Sequence, residues 1–79
     1  MNSLQLKMAR VALGLSVRQA AEISDVSHET ITRIEAGRED VKKSTIEKVR
    51  AALEKAGVIF VDENGEGHGV RLRKASGKQ

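Results

Sequence analysis

The chain has 79 residues, 39% of them hydrophobic and 32% charged, and a formal net charge of +3. This makes one small domain with no room for a second core, and with Phe60 the only aromatic residue that core must be aliphatic. No cysteine is present, which excludes disulfides and thiolate metal sites. No apolar run approaches a membrane span and no secretory signal opens the chain, so a cytoplasmic protein without membrane attachment is expected.

Residues 3–13, SLQLKMARVAL, read as a first helix, with Gly14 as its stop. Leu6, Ala9 and Leu13 share one face and belong to the core, while Leu4, Met8 and Val11 share another that needs a second neighbour. Ser16 and Gln19 have the spacing of a capping box and open a second helix over residues 17–24. Residues 24–26 are too short for anything but a turn, and Asp25 sits where a left-handed residue is needed. Ser27 caps a third helix over residues 28–36, and Gly37 ends it. Ile31 and Ile34, with Ser27, fall on one side of this helix. His28, Glu29, Thr32, Arg33 and Ala36 fall on the other, which is polar and rich in donors and acceptors.

Residues 38–43, REDVKK, form a charged loop. Ser44 and Glu47 have capping-box spacing, which predicts a fourth helix over residues 45–56 with Ile46, Val49, Leu53 and Ala56 inward and Gly57 after it. The period then changes. Residues 58–61 are β-prone, Asn64-Gly65 is the strongest hairpin signal in the chain, and residues 70–73 alternate apolar and basic. Residues 74–79 read as a frayed tail.

Spacing and chemistry point to a helix–turn–helix that reads DNA from its second member. His28, Glu29, Thr32 and Arg33 are the candidate base contacts. Arginine can fork to guanine, glutamate accept from cytosine, threonine bond or pack on thymine, and histidine donate or accept. Ser16, Arg18, Gln19 and Ser27, at helix starts, and Arg38, Lys42 and Lys43, in and beside the loop, are the candidate phosphate contacts. The acids Glu39 and Asp40 in the same loop argue that it is simply a charged connection. Arg71, Arg73 and Lys74 read better as edge-strand charges than as DNA contacts. His28 and His68 lack any further metal-ligand pattern, and no nucleophile, base and orienting group can be argued into one pocket. Neither a metal, a cofactor nor an enzymatic activity is expected.

Arg10, Gly14-Leu15-Ser16, Ala21, Val26-Ser27, Ile31 and Arg33-Ile34-Glu35 with Gly37 resemble the helix-turn-helix family of phage repressors and Cro proteins, the xenobiotic-response-element-like family of small bacterial regulators. The resemblance covers about residues 4–56. It implies a domain of four or five helices with the third in the major groove, an ion pair between Arg10 and Glu35, base contacts at positions 28, 29 and 33, and phosphate contacts at Ser16 and in the loop after Gly37. Val17 stands where the family often has glutamine, and Asp25 where it usually has glycine. The fold expected is therefore mainly α: a four-helix repressor-like domain over residues 1–57, a C-terminal β-hairpin over residues 58–73 and a flexible tail over residues 74–79. The function expected is sequence-specific binding of double-stranded DNA by a homodimeric transcription regulator. Val58, Ile59, Phe60, Val61, Val70 and Leu72 would form the dimer interface. The alternative is a protein-interaction module, an antitoxin or adaptor, with a protein partner and DNA binding secondary.

Overall fold

The computed structural model describes residues 1–62 and 65–73. Four helices, α1 (Ser3–Ala12), α2 (Val17–Ser24), α3 (His28–Glu35) and α4 (Lys43–Lys55), precede strands β1 (Val58–Val61) and β2 (Gly69–Leu72). The turn predicted at Asn64-Gly65 lies partly outside the described residues, and the predicted tail, with Lys74, lies wholly outside them.

The first three helices each open on a side chain that accepts an orphan backbone N–H. Asn2 accepts from Gln5 N at 2.8 Å, Ser16 from Gln19 N at 3.1 Å, and Ser27 from Thr30 N at 3.2 Å. The first two are complete capping boxes. The fourth helix departs from expectation. It starts at Lys43, its N-cap Lys42 makes no side-chain cap hydrogen bond, and Ser44 lies within the first turn. The reason is burial. Val41 just before the cap and Ile46 in the next turn both pack against the core, the placement of a hydrophobic staple. Apolar contact sets the start of α4 in preference to the serine hydroxyl. Ala56, expected inward, is an exposed C-cap residue.

Every helix contributes to one core. Leu6 and Ala9 come from α1, Ala20 and Ala21 from α2, Ile31 and Ile34 from α3, and Val49 and Leu53 from α4. The alanines of α2 allow that helix to pack on both α3 and α4. Leu13 and Ile46 pack at the margin of the core, while Ser27 remains exposed at its cap.

The strands pair antiparallel, with Val58 opposite Leu72, Ile59 opposite Arg71, Phe60 opposite Val70 and Val61 opposite Gly69. β2 thus begins and ends one residue before the predicted run. This hairpin closes the core of its own chain, which takes Val58 out of the surface expected to meet a second copy. Val58 is a fully buried core residue, and Phe60 and Val70 pack against the same cluster. Ile59 and Leu72 remain exposed at 39% and 50%, and Val61 is half-buried. Arg50 of α4 lies over the Phe60 ring, 5.4 Å from its centre, and adds a cation–π contact.

Gln5 ties the hairpin to α1. Its side-chain oxygen accepts from Asn2 N at 3.0 Å, and its Nε2 donates to Val61 O and Gly69 O at 3.0 and 3.1 Å. The residue is 2% exposed, so these bonds satisfy a polar group that burial would otherwise destabilise. Gln5→Ala would leave two strand carbonyls and one helix-start N–H without this partner. We expect a loss of about 2 kcal/mol in urea denaturation, with amide exchange accelerating more in β1 and β2 than in α2 and α3.

Candidate nucleic-acid interface

α3 exposes one face and buries the other. Ile31 and Ile34 hold the inner face, whereas His28, Glu29, Thr32 and Arg33 are all exposed. The Ser27 hydroxyl is occupied within the cap, since it accepts from Thr30 N and lies 3.0 Å from Thr30 Oγ1. Thr32 Oγ1 donates to His28 O at 3.1 Å.

The orientation of α3 depends on Arg10. Its Nε and Nη2 donate to the two carboxylate oxygens of Glu35 at 2.7 and 3.1 Å, and its Nη1 donates to Leu15 O at 3.1 Å. The two side chains are 16% and 13% exposed. Bonding to Glu35 holds the Arg10 guanidinium above its ordinary pKa, against the opposing effect of desolvation. Because the shift is upward, its stabilising contribution is present throughout the neutral range and is lost as pH rises through the guanidinium's range in strong alkali.

The turn between α2 and α3 is set by Asp25, whose φ of 56° and ψ of 47° are left-handed. Asparagine and aspartate tolerate this region better than most residues. Lys48 of α4 donates to Asp25 O at 3.0 Å and lies 3.6 Å from its carboxylate. Sequence reasoning missed Lys48 because nothing local marks a contact between residues so far apart in the chain. Val17, which stands where the resemblance suggested a polar contact, packs half-buried against the core.

Two shallow depressions flank α3. One, of about 210 Å³, is lined by Arg18, Ala21, Glu22, Val26 and His28. The other, of about 270 Å³, is lined by Thr30, Arg33, Asp40, Val41, Lys42 and Thr45. The structure therefore brings Arg18 to His28 on one side and Arg33 to Lys42 on the other. Thr30 and Thr45 join the second group. Their only sequence signal was a hydroxyl near a helix start. The Gln19 side-chain oxygen accepts from Ser16 N at 2.9 Å, which leaves the amide nitrogen as the end of that side chain not used by the cap. Arg38 is paired with Asp40 at 3.1 Å. Among the described residues Arg18, Arg33, Lys42 and Lys43 form no ion pair. Lys42 and Lys43 also stand at the positive end of α4, which has no acid in its first turn. That arrangement is unfavourable alone and is relieved by an anion.

Among the described residues none of the hairpin lines either depression. Among the described residues no group of three or more His, Cys, Asp or Glu could hold a metal ion, and no helix is long and apolar enough to cross a membrane.

A family model described as a helix-turn-helix domain matches residues 3–58. The chain belongs to this helix-turn-helix domain family. No curated protein matches it significantly. The match ends at Val58, where the hairpin enters the core.

Breaking the bond that orients α3 is a direct test of the arrangement. Glu35→Gln leaves a partly buried guanidinium short of its charge partner, and a loss of about 1–3 kcal/mol is expected. A double-mutant cycle with Arg10→Met should return most of that loss as coupling energy between the two positions.

Proposed function

We propose that the protein is a sequence-specific, double-stranded DNA-binding transcription regulator that places α3 in the major groove. The observation carrying this is the outward face of α3. It presents His28, Glu29, Thr32 and Arg33 together, and basic side chains that form no ion pair among the described residues lie in the depressions on both sides. Membership of the helix-turn-helix domain family supports the same reading.

Arg33 has the reach and the planar fork to read guanine O6 and N7. Glu29 accepts from cytosine N4 and disfavours sequences without a donor there. His28, beside Arg18, contacts a base edge at the start of the helix. Ser16, Arg18 and Gln19 contact one stretch of backbone, and Lys42 and Lys43 contact another with the free N–H groups at the start of α4. Arg38, already paired with Asp40, contributes less.

The regulator acts as a homodimer on a site with two-fold symmetry, its half-sites about one helical turn apart. With Val58 in the core and Phe60 and Val70 packed against it, the large apolar side chains exposed among the described residues are Ile59 and Leu72 on the hairpin, Ile23 on α2, and Leu4 and Val11 on α1, where Met8 lies beside them. Of these the α1 group is the favoured surface for a second copy. Leu4 and Val11 are 59% and 63% exposed. The same exposure favours the alternative reading, a module that binds another protein.

Selection of duplexes from a random pool by the full chain tests binding, symmetry and spacing together. An enriched palindrome is expected, and recovery of no preferred sequence would sink the proposal. On the recovered site Arg33→Ala should cost about 1–3 kcal/mol and relax preference at one base pair. Lys42→Ala and Lys43→Ala should instead weaken all sequences alike, each lowering the slope of log affinity against log salt by about one. For the dimer, Leu4→Lys with Val11→Lys, both at exposed positions, should shift sedimentation toward monomer. An unchanged dimer would move the interface to the hairpin.

A further inference from the structure

Thr32 occupies the middle of the outward face of α3. Its hydroxyl donates to His28 O, one turn back, at 3.1 Å. A threonine has one hydroxyl proton, so none is left to donate to a base edge. The bond also restricts a side chain already stiff at χ1. What remains for a groove is the methyl group and the lone-pair capacity of an oxygen already in use. The neighbours favour the methyl. Glu29 supplies a stronger, charged acceptor on the same face. Ala36, one turn further on, is exposed and places a second methyl beside the first.

We infer that Thr32 is a specificity-determining residue that packs its methyl on the C5-methyl of a thymine, while its hydroxyl serves the helix. This rests on the proposal that α3 reads DNA. Thymine is the base whose major-groove edge carries a methyl, and apolar contact is how that group is recognised.

The probe is the duplex recovered by the full chain from a random pool, remade with deoxyuridine for thymine at one position at a time. Deoxyuridine lacks only the methyl. At one position the parent should bind about fourfold more weakly, the effect of leaving one methyl unburied. Thr32→Val keeps the branched shape and deletes the hydroxyl. It should bind the thymine duplex within about twofold of the parent and keep its sensitivity to deoxyuridine. Thr32→Ser keeps the hydroxyl and deletes the methyl. It should lose about fourfold on the thymine duplex and become indifferent to deoxyuridine at that position. Helical content by circular dichroism checks that all three chains are folded.

The inference is overturned if Thr32→Val weakens binding as much as Thr32→Ser, since the hydroxyl would then be the contact. It is equally overturned if no deoxyuridine position affects the parent. If Arg33→Ala still relaxes an enriched sequence in that case, α3 reads DNA and only the role of Thr32 is wrong. If the pool yields no enriched sequence, the DNA reading itself fails and the inference goes with it.

Discussion

Arg10 holds three parts of the chain in one place. Its guanidinium meets both oxygens of Glu35 at the end of α3 and the carbonyl of Leu15 before α2. α3 has only 8 residues, too few to be stable alone in water. It touches the core through Ile31 and Ile34, and two apolar contacts allow a short helix some roll about its own axis. A forked, two-point bond at its far end removes that freedom, because both oxygens must face the guanidinium plane. The angle at which His28, Glu29, Thr32 and Arg33 project is therefore fixed by a residue on another helix.

The opposite end of α3 is restrained from a different direction. There the chain turns through Asp25 in a left-handed conformation, and Lys48 binds that turn from α4. α4 in turn is anchored by Val41 and Ile46 against the core. The polar bonds that fix α3 thus come from helices that carry none of the four candidate base contacts. This leaves the outward side chains free of structural duty, with one exception. Thr32 is bonded to its own helix, and that difference separates it chemically from its neighbours.

Much of this was legible in the sequence because it is local. The Ser16 and Gln19 box, the left-handed Asp25 and the two faces of α3 all follow from spacing within one turn or one helix. The elements that sequence reasoning misplaced are those decided at long range. Ser44 and Glu47 have the right spacing for a cap, yet burial of Val41 and Ile46 starts α4 earlier. Val58 has the same β-prone surroundings as Ile59 in the sequence, and only the packing of the hairpin shows that Val58 is buried while Ile59 stays exposed. Gln5 drew no notice, because a polar residue in an amphipathic helix is unremarkable until two strand carbonyls are found against it. For the candidate interface, which side chains of α3 face outward could be read in advance. The grouping of Arg33 with Lys42, Thr30 and Thr45 could not, since it depends on how the loop after Gly37 folds back.

α1 links the two halves of this arrangement. Gln5 and Arg10 both lie on it, one bonded to the hairpin and the other to α3, with Leu6 and Ala9 buried between them. Displacing the hairpin would remove partners from Gln5 and expose Val58, and α1 would then be held less firmly just where it supports Arg10. The family match ends at Val58, yet the residues beyond it bear mechanically on the helix that faces solvent with its polar side. The hairpin is thus better understood as a brace for α1, the helix whose Arg10 holds α3 at Glu35, than as an appendage.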